Sequence, residues 1–323
     1  SMVRGDLFTT MDQQLRRIRR SNVPFGGLQI VCVGDFYQLP PVLTNQEKNS
    51  YFELYESAFA FGGESWSAAQ FEHIELVENM RQSDETFRAH LEMIRVKGPT
   101  YKQSVEFFND IGSRNLSKVA DSDPVYLCSV NRLADEINNS HYEELGGEER
   151  VFYAKKSGEF KAQPAPYELR LKYGTKVIFT CNHPTDFKNG EIGYFLGIVG
   201  DKLHIVKESD ESEVYVEVNK WEDRDYEVVG GDLSTSVKGT FKQYPLKHAW
   251  AVSIHKSQGL TLDNAILDFG RGCFASGQAY VALSRLRSLD GLGLMSPISD
   301  SDIIVDPEVQ EFYSNNCRGI GLL

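Results

Sequence analysis

None of the 27 glycines in this sequence is followed by lysine, so it contains no G-x-x-x-x-G-K-[ST] loop of the kind that cradles nucleotide phosphates. Cysteine is scarce as well: Cys32, Cys128, Cys181, Cys273 and Cys317 are odd in number, widely spaced and never arranged as C-x-x-C. That excludes a disulfide framework and a zinc knuckle, and it fits a reducing, intracellular compartment. No apolar run approaches the roughly 18 residues of a membrane helix. The first twenty residues end in Arg16-Arg17-Ile18-Arg19-Arg20, where a secretory signal would carry an apolar segment. Positive charge is in deficit, with 34 basic against 46 acidic residues and a net charge of −12. Bulk charge therefore cannot bind nucleic acid, and any such site must be a local patch. A G-x-S-x-G elbow is missing too, so Ser253, His255 and Asp263 are not read as a hydrolase triad.

What is there is an ordinary globular composition, 41% hydrophobic, 11% aromatic and 25% charged over 323 residues, enough for two domains and a small insert. Apolar spacing at Leu7, Phe8, Met11, Leu15 and Ile18 predicts a helix over residues 7–20, stopped by Asn22-Val23-Pro24. The continuous apolar run 28–33 then predicts a strand buried on both faces of a parallel sheet. Runs of the same kind fall at 71–76, 124–128, 175–179, 249–253, 264–267 and 291–295, with helical patterns at 134–145 and 277–284. This alternation predicts an α/β architecture. Between Gly193 and Tyr244 short alternating strands predict a small all-β insert, with the acidic stretch 208–213 as a solvated hairpin loop. From Tyr313 onward the chain is expected to fray.

Three stretches gather chemistry. Gly34-Asp35-Phe36-Tyr37-Gln38-Leu39-Pro40-Pro41-Val42 directly follows the run 28–33, at the carboxyl end of a predicted parallel strand, where open α/β sheets place ligands. Read alone, it is equally a polar loop stiffened by two prolines. Ser253-Ile254-His255-Lys256-Ser257-Gln258-Gly259-Leu260-Thr261 packs hydroxyls, an amide, a cation and a glycine into one turn. Such a turn can cradle phosphate oxygens through backbone N–H groups and a helix N-terminus; a helix start capped by Ser253 or Ser257 fits the same residues. The third stretch, 277–287, reads as a helix with Tyr280 and Leu283 on one stripe and Arg285 near its end, where a cation ordinarily answers the helix dipole.

In their order along the chain, these stretches resemble those of the petite integration frequency (PIF) helicases and their RecD-like relatives, in the 5′-to-3′ branch of helicase superfamily one. The resemblance spans nearly the whole chain. Residues 34–42 are similar to helicase motif III, Glu75-Leu76-Val77-Glu78-Asn79-Met80-Arg81 to motif IV, 253–261 to motif V and 278–285 to motif VI. The stretches 177–182 and 188–193 resemble part of the family's second motor domain. The resemblance implies RecA-like P-loop NTPase motor domains, with ATP in their cleft and single-stranded DNA across their top. On it, residues 1–115 are the C-terminal part of the first motor domain, 116–196 with 246–323 the second, and 197–245 an SH3-like insert. At matching positions Gln38 senses the γ-phosphate, while Arg81 and Arg285 stabilise charge on the transferring phosphoryl group. Arginine suits that role because its planar fork binds phosphate oxygens bidentately. Gly34, Asp35, Gln258 and Gly259 are placed near the nucleotide, and Phe36, Pro40, His255, Lys256 and Thr261 against the DNA strand, by stacking and phosphate contact.

The resemblance also implies ATP and Mg2+ as cofactors, single-stranded and forked duplex DNA as partners, a monomer, and no membrane attachment. The missing phosphate loop departs from the family. The opening Ser1-Met2-Val3-Arg4-Gly5-Asp6 is similar to the family stretch that follows the magnesium-binding Asp-Glu pair. Loop and carboxylates are therefore expected ahead of Ser1, and run 28–33 is expected to lack sheet neighbours and expose apolar edges. On this reading the chain alone binds nucleotide weakly and does not hydrolyse ATP. The alternative from another class is a non-catalytic single-stranded DNA-binding or assembly module with a helicase-like fold. Gln38, Arg81 and Arg285 together count against it, because a module without ATP has no physical need of three γ-phosphate sensors.

Overall fold

The computed structural model describes residues 1–76, 79–160, 163–229 and 232–316. Val77 and Glu78, in the stretch similar to motif IV, lie outside the described residues, as does Cys317. The elements run α1 (Gly5–Arg19), α2 (Asn45–Phe52), α3 (Glu64–Ala69), α4 (Glu85–Val96), α5 (Tyr101–Ala120), β1 (Val125–Cys128), α6 (Asn131–Glu144), β2 (Arg150–Tyr153), β3 (Lys155–Gly158), β4 (Glu168–Leu171), β5 (Lys176–Phe179), β6 (Ile192–Val199), β7 (Lys202–Lys207), β8 (Glu213–Val216), β9 (Asn219–Val229), β10 (Asp232–Gln243), β11 (Leu246–His248), β12 (Ala251–Ser253), β13 (Ala265–Asp268), α7 (Gln278–Leu283), β14 (Leu292–Leu294) and α8 (Pro307–Asn316). They form two compact units, 1–122 with 261–323, and 123–260.

In the first unit, α1 forms where a helix was expected, but Leu7, Met11 and Ile18 of the expected stripe are exposed and its buried positions are Gly5, Phe8 and Asp12. Phe8 is buried and meets Phe25 edge-on at 5.3 Å between ring centroids. The helix ends where Arg20 turns left-handed and Ser21 N–H returns to the Arg16 carbonyl at 3.0 Å, just before the predicted breaker. Buried Asp12 staples the region, accepting from Arg16 at 2.8 Å, from Phe25 N–H at 2.6 Å and from the Ser65 hydroxyl at 2.9 Å. Strands β13 and β14 pair in parallel, and α5 packs on β14. Asn109 of α5 donates to the Ile298 carbonyl at 2.9 Å and accepts from its N–H at 2.7 Å. These contacts group the segment after Thr261 with the first 122 residues, whereas the expected division ran at 115 and 245.

Two expected strands are not formed. Runs 28–33 and 71–76 carry no strand and pair with none among the described residues. Val31, Val33, Ile74 and Leu76 are each more than three-quarters exposed. A strand buried on both faces needs ladder partners for its N–H and C=O groups, and without them apolar composition alone does not make one. The fray expected from Tyr313 onward is also corrected, because α8 runs to Asn316 and packs Phe312 and Tyr313 against aromatic side chains.

In the second unit, β1 and β12 pair in parallel. Asn138 of α6 binds the Ala251 backbone on both sides, donating to its carbonyl at 2.7 Å and accepting from its N–H at 2.9 Å. The run 175–179 gives β5, yet β5 joins an antiparallel sheet of order β11-β5-β6-β7-β8. The β structure is therefore wider than the expected insert. Val177, Phe179, Phe195, Leu203, Ile205, Val214 and Leu246 form its core. The acidic stretch is the β7–β8 turn, as expected, with Lys207 paired to Asp210 at 3.1 Å. The long β9–β10 hairpin joins β3 in a third sheet.

Candidate functional site

Arg81 and Arg285 meet in the first unit. Asn79 folds the loop that carries Arg81, its side-chain oxygen accepting from Arg81 N–H at 2.9 Å and from Gln82 N–H at 3.1 Å. Gln82, buried, donates to the carbonyls of Ser284 and Leu286 at 3.2 and 2.6 Å and so docks the loop on the end of α7. Arg81 donates from Nη1 to the Ser284 carbonyl at 2.9 Å and from Nε to Thr261 Oγ1 at 3.0 Å. Arg285 is 2% exposed and donates to the Val281 carbonyl at 2.9 Å and to Ser284 Oγ at 2.8 Å. Burial pushes its guanidinium down to about 10, and the neighbouring charge of Arg81 adds to the effect; burial lowers Arg81 as well. Both remain cationic at neutral pH. Two desolvated cations side by side favour an anion between them. Arg285 is thus an interior group, where its position near a helix end suggested a dipole partner. Thr261, expected at DNA, is engaged by Arg81.

The loop similar to motif III is held rigidly. Asp35 pairs with Arg95 at 3.2 Å and accepts from the hydroxyls of Tyr280 and Tyr313 at 3.2 and 3.4 Å, so protein donors take up both carboxylate oxygens. The N–H of Gln38 returns to the Asp35 carbonyl at 3.1 Å. Gly277, at the start of α7, has φ +71°, and a Cβ there would stand 2.2 Å from the Tyr37 carbonyl oxygen and 2.9 Å from the Gln38 carbonyl. Only glycine lets this loop close on α7. Gln38, Arg81 and Arg285 are therefore all carried by contacts to one short helix. The Phe36 ring, expected against DNA, sits half-buried among Phe61, Trp66 and Phe312 at 4.9, 5.9 and 5.2 Å, with its faces turned to protein. Pro40 is half-buried beside fully buried Leu39, and Gly34 is exposed.

The second unit holds a cleft of about 740 Å³ lined by α6, the strands β4, β5, β11 and β12, and the turn after β12. Lys256, expected at DNA, and Gln258, expected near the nucleotide, both line it; His255, expected at DNA, does not. Burial pushes the His255 imidazole down, which favours its neutral form. The expected helix N-terminus is a single 3₁₀ turn over Ile254–Ser257, with no side-chain cap from Ser253. Ser257 Oγ instead donates to the Ile254 carbonyl at 2.9 Å. Gly259 has φ +88° and follows Gln258 at φ −56°, ψ 129°, while Leu260 N–H returns to the Ser257 carbonyl at 2.9 Å. This is a type II turn, which itself demands the glycine. Lys247 also lines the cleft; burial lowers its ammonium, the like charge of Lys256 adds to this and Asp135 opposes it. Ser253 Oγ and Thr180 Oγ1 are buried on the lining without a hydrogen-bond partner. Lys247 and Arg170 had no local signal in the sequence, since only the fold brings β4 and β11 to one cleft. Gln82 was findable as the neighbour of Arg81. Among the described residues no three His, Cys, Asp or Glu gather as a metal site, and no helix is long and apolar enough to cross a membrane.

Residues 1–98 match the family described as PIF1-like helicase. The ATP-dependent DNA helicase PIF1 of Danio rerio is 34% identical over 91% of this chain, which spans 45% of that relative; the chain thus covers about half the length of such curated relatives. The ATP-dependent DNA helicase Pif1 of Bdellovibrio bacteriovorus is 32% identical over 97% of this chain and 68% of its own length. Among solved structures, Pif1 helicase from Bacteroides in complex with ADP-AlF3 and ssDNA superposes with a TM-score of 0.78 at 28% identity, over 99% of this chain and 74% of that one. The motor domains are accordingly RecA-like α/β folds. With the Bdellovibrio protein matched along two-thirds of its length and the motif residues in the family's order, the chain belongs to the PIF1-like helicase family.

Proposed function

We propose that the chain acts in an ATP-dependent DNA helicase, coupling ATP hydrolysis to 5′-to-3′ movement along single-stranded DNA and to the opening of forked duplex. The observation that carries this is the pairing of Arg81 with Arg285, which sets a like charge beside a guanidinium that burial has already pushed down to about 10. Two guanidiniums brought together repel one another, and a phosphoryl group that gathers negative charge in its transition state is stabilised by both.

The residues present fit the γ-phosphate end of a nucleotide. Arg81 and Arg285 would hold its oxygens, and Gln38, on the loop closed by Gly277, would report the phosphate to the rest of the unit. ATP supplies the phosphoryl bond whose cleavage drives movement. Asp35 acts as a positioning residue, because its oxygens are occupied by Arg95 and two tyrosines. In the second unit, Lys247, Lys256 and the hydroxyls of Thr180 and Ser253 are suited to a strand's phosphates without reading its bases.

ATP turnover stimulated by single-stranded DNA tests the reading, in a helicase that carries these residues together with a phosphate-binding loop. Arg285→Ala is expected to lower turnover by roughly three orders of magnitude with DNA affinity nearly intact, and Arg285→Lys to restore little because it lacks the fork. Equal losses of turnover and DNA affinity would assign Arg285 to folding. A second reading, a DNA-binding module without turnover, is favoured by the absence of any Gly-Lys step; it expects Arg285→Ala to change nothing.

A further inference from the structure

The three-stranded sheet of β3, β10 and β9 carries an unusual register. Lys155 stands directly opposite Lys242, and Lys242 directly opposite Lys220. Residues paired across antiparallel strands share a face. Three lysines therefore form one row across the sheet, spanning roughly 10 Å at the ordinary strand spacing of about 4.8 Å. All three are exposed. The opposite face is fixed inward by Phe241 and Trp221, which pack with Ala154, Phe160 and Ala165.

Like charges directly opposite one another destabilise a sheet, and in a chain of net charge −12 carboxylates are plentiful enough to relieve them. They do not. The adjacent row on the same face is Ser157, Thr240 and Glu222, and its one carboxylate is shared between Lys220 and Arg224. Among the described residues no carboxylate pairs with Lys155 or Lys242. The row lines a shallow concavity of about 370 Å³ together with Lys156, Ser157 and Thr240, so two hydroxyl donors adjoin the ammonium groups. None of these residues lines the cleft of Lys247 and Lys256.

We propose that the Lys155–Lys242–Lys220 row is a second, separate phosphate-binding site that holds the backbone of a nucleic acid on the β ribbon. Ammonium and hydroxyl groups contact phosphates rather than base edges, so binding is independent of sequence. That the anion is nucleic acid, rather than another polyphosphate, rests on the reading of this chain as part of a DNA motor.

The test is equilibrium binding of the full 323-residue chain to a labelled single strand and to a blunt duplex, over a series of salt concentrations. The variants are K155A/K220A/K242A and the matching triple arginine. Losing three phosphate contacts is expected to make the slope of log affinity against log salt shallower by about 2 to 3, at roughly 0.9 per contact on duplex and 0.7 on single strands. The triple arginine should keep the wild-type slope. Lys242→Gln alone should remove about one contact's share and serves if the triple alanine does not fold. A change confined to the single strand assigns the row to the tracked strand, and a change confined to duplex assigns it to the duplex. Unchanged slopes on both, in a chain that binds DNA, overturn the row and leave the helicase reading standing. A wild-type chain that binds neither DNA overturns the DNA reading itself.

Discussion

Arg95 and Arg285 are both interior arginines of the first unit, and their surroundings push them in opposite directions. Arg95, 13% exposed at its side chain, has Asp35 at 3.2 Å and Glu92 at 2.9 Å, and its guanidinium lies 4.6 Å from the centroid of the Tyr37 ring. Burial works against its charge, and the carboxylates of Asp35 and Glu92 outweigh burial to hold the group above its usual range. Arg285 donates to a carbonyl and a hydroxyl and has Arg81 as its charged neighbour. One arginine is held above its usual range by carboxylates and ties a loop to a helix. The other is lowered by burial and by the guanidinium of Arg81 beside it.

The sharpest way to break this contrast is to remove the partner of Arg95. Asp35→Asn takes from the buried guanidinium one of its two carboxylates, leaving Glu92, and should cost about 3 kcal/mol, read as a lower urea midpoint. Combining it with Arg95→Met should restore part of the loss, because a double change removes the buried guanidinium as well. Additive losses would mean that the pair is not coupled. The next effect is smaller. Gly277→Ala forces a Cβ toward the Tyr37 and Gln38 carbonyls at positive φ and should cost about 1–3 kcal/mol. It should also disturb both the loop of Gln38 and the helix that leads to Arg285. A destabilised chain in which Asp35→Asn has its usual effect would show that loop and helix are held independently.

The smallest expected effect concerns Asp12, a third buried ionic group. Arg16 first, then Phe25 N–H and the Ser65 hydroxyl, hold its carboxyl below the usual value against burial. A depressed folded pKa stabilises the chain above the unfolded value of about 3.9 and loses that contribution as pH falls through the folded one. Melting curves from neutral to acid pH should show Asp12→Asn about 1 kcal/mol less stable at pH 7, with the gap closing in acid. A gap constant with pH would assign the loss to packing.

How legible these features were in the sequence depended on range. Strands β1, β5, β12, β13 and β14 fell on continuous apolar runs, a local pattern, and α1 formed where expected although Leu7, Met11 and Ile18 are exposed. Runs 28–33 and 71–76 looked as strand-like as β13, yet a strand is made by its neighbours, and none among the described residues pairs with them. Arg81, Arg285 and Gln38 were readable as candidates only through the family's motif order; their meeting on α7 depended on Gly277 and Gln82, which no periodicity marks. The packing of Phe36 with Phe61, Trp66 and Phe312 was not legible, because they lie 25 to 276 residues away. The lysine row on β3, β10 and β9 was invisible for the same reason, since register across three strands brings it together.

The most direct measurement is the urea midpoint of the 323-residue chain carrying Arg95→Met or Arg285→Met. The account predicts that Arg95→Met is strongly destabilising, because it takes the arginine from Asp35, while Arg285→Met costs markedly less, because it also removes the like charge beside Arg81. An Arg285→Met chain destabilised as much as Arg95→Met would contradict the account and make Arg285 a structural residue.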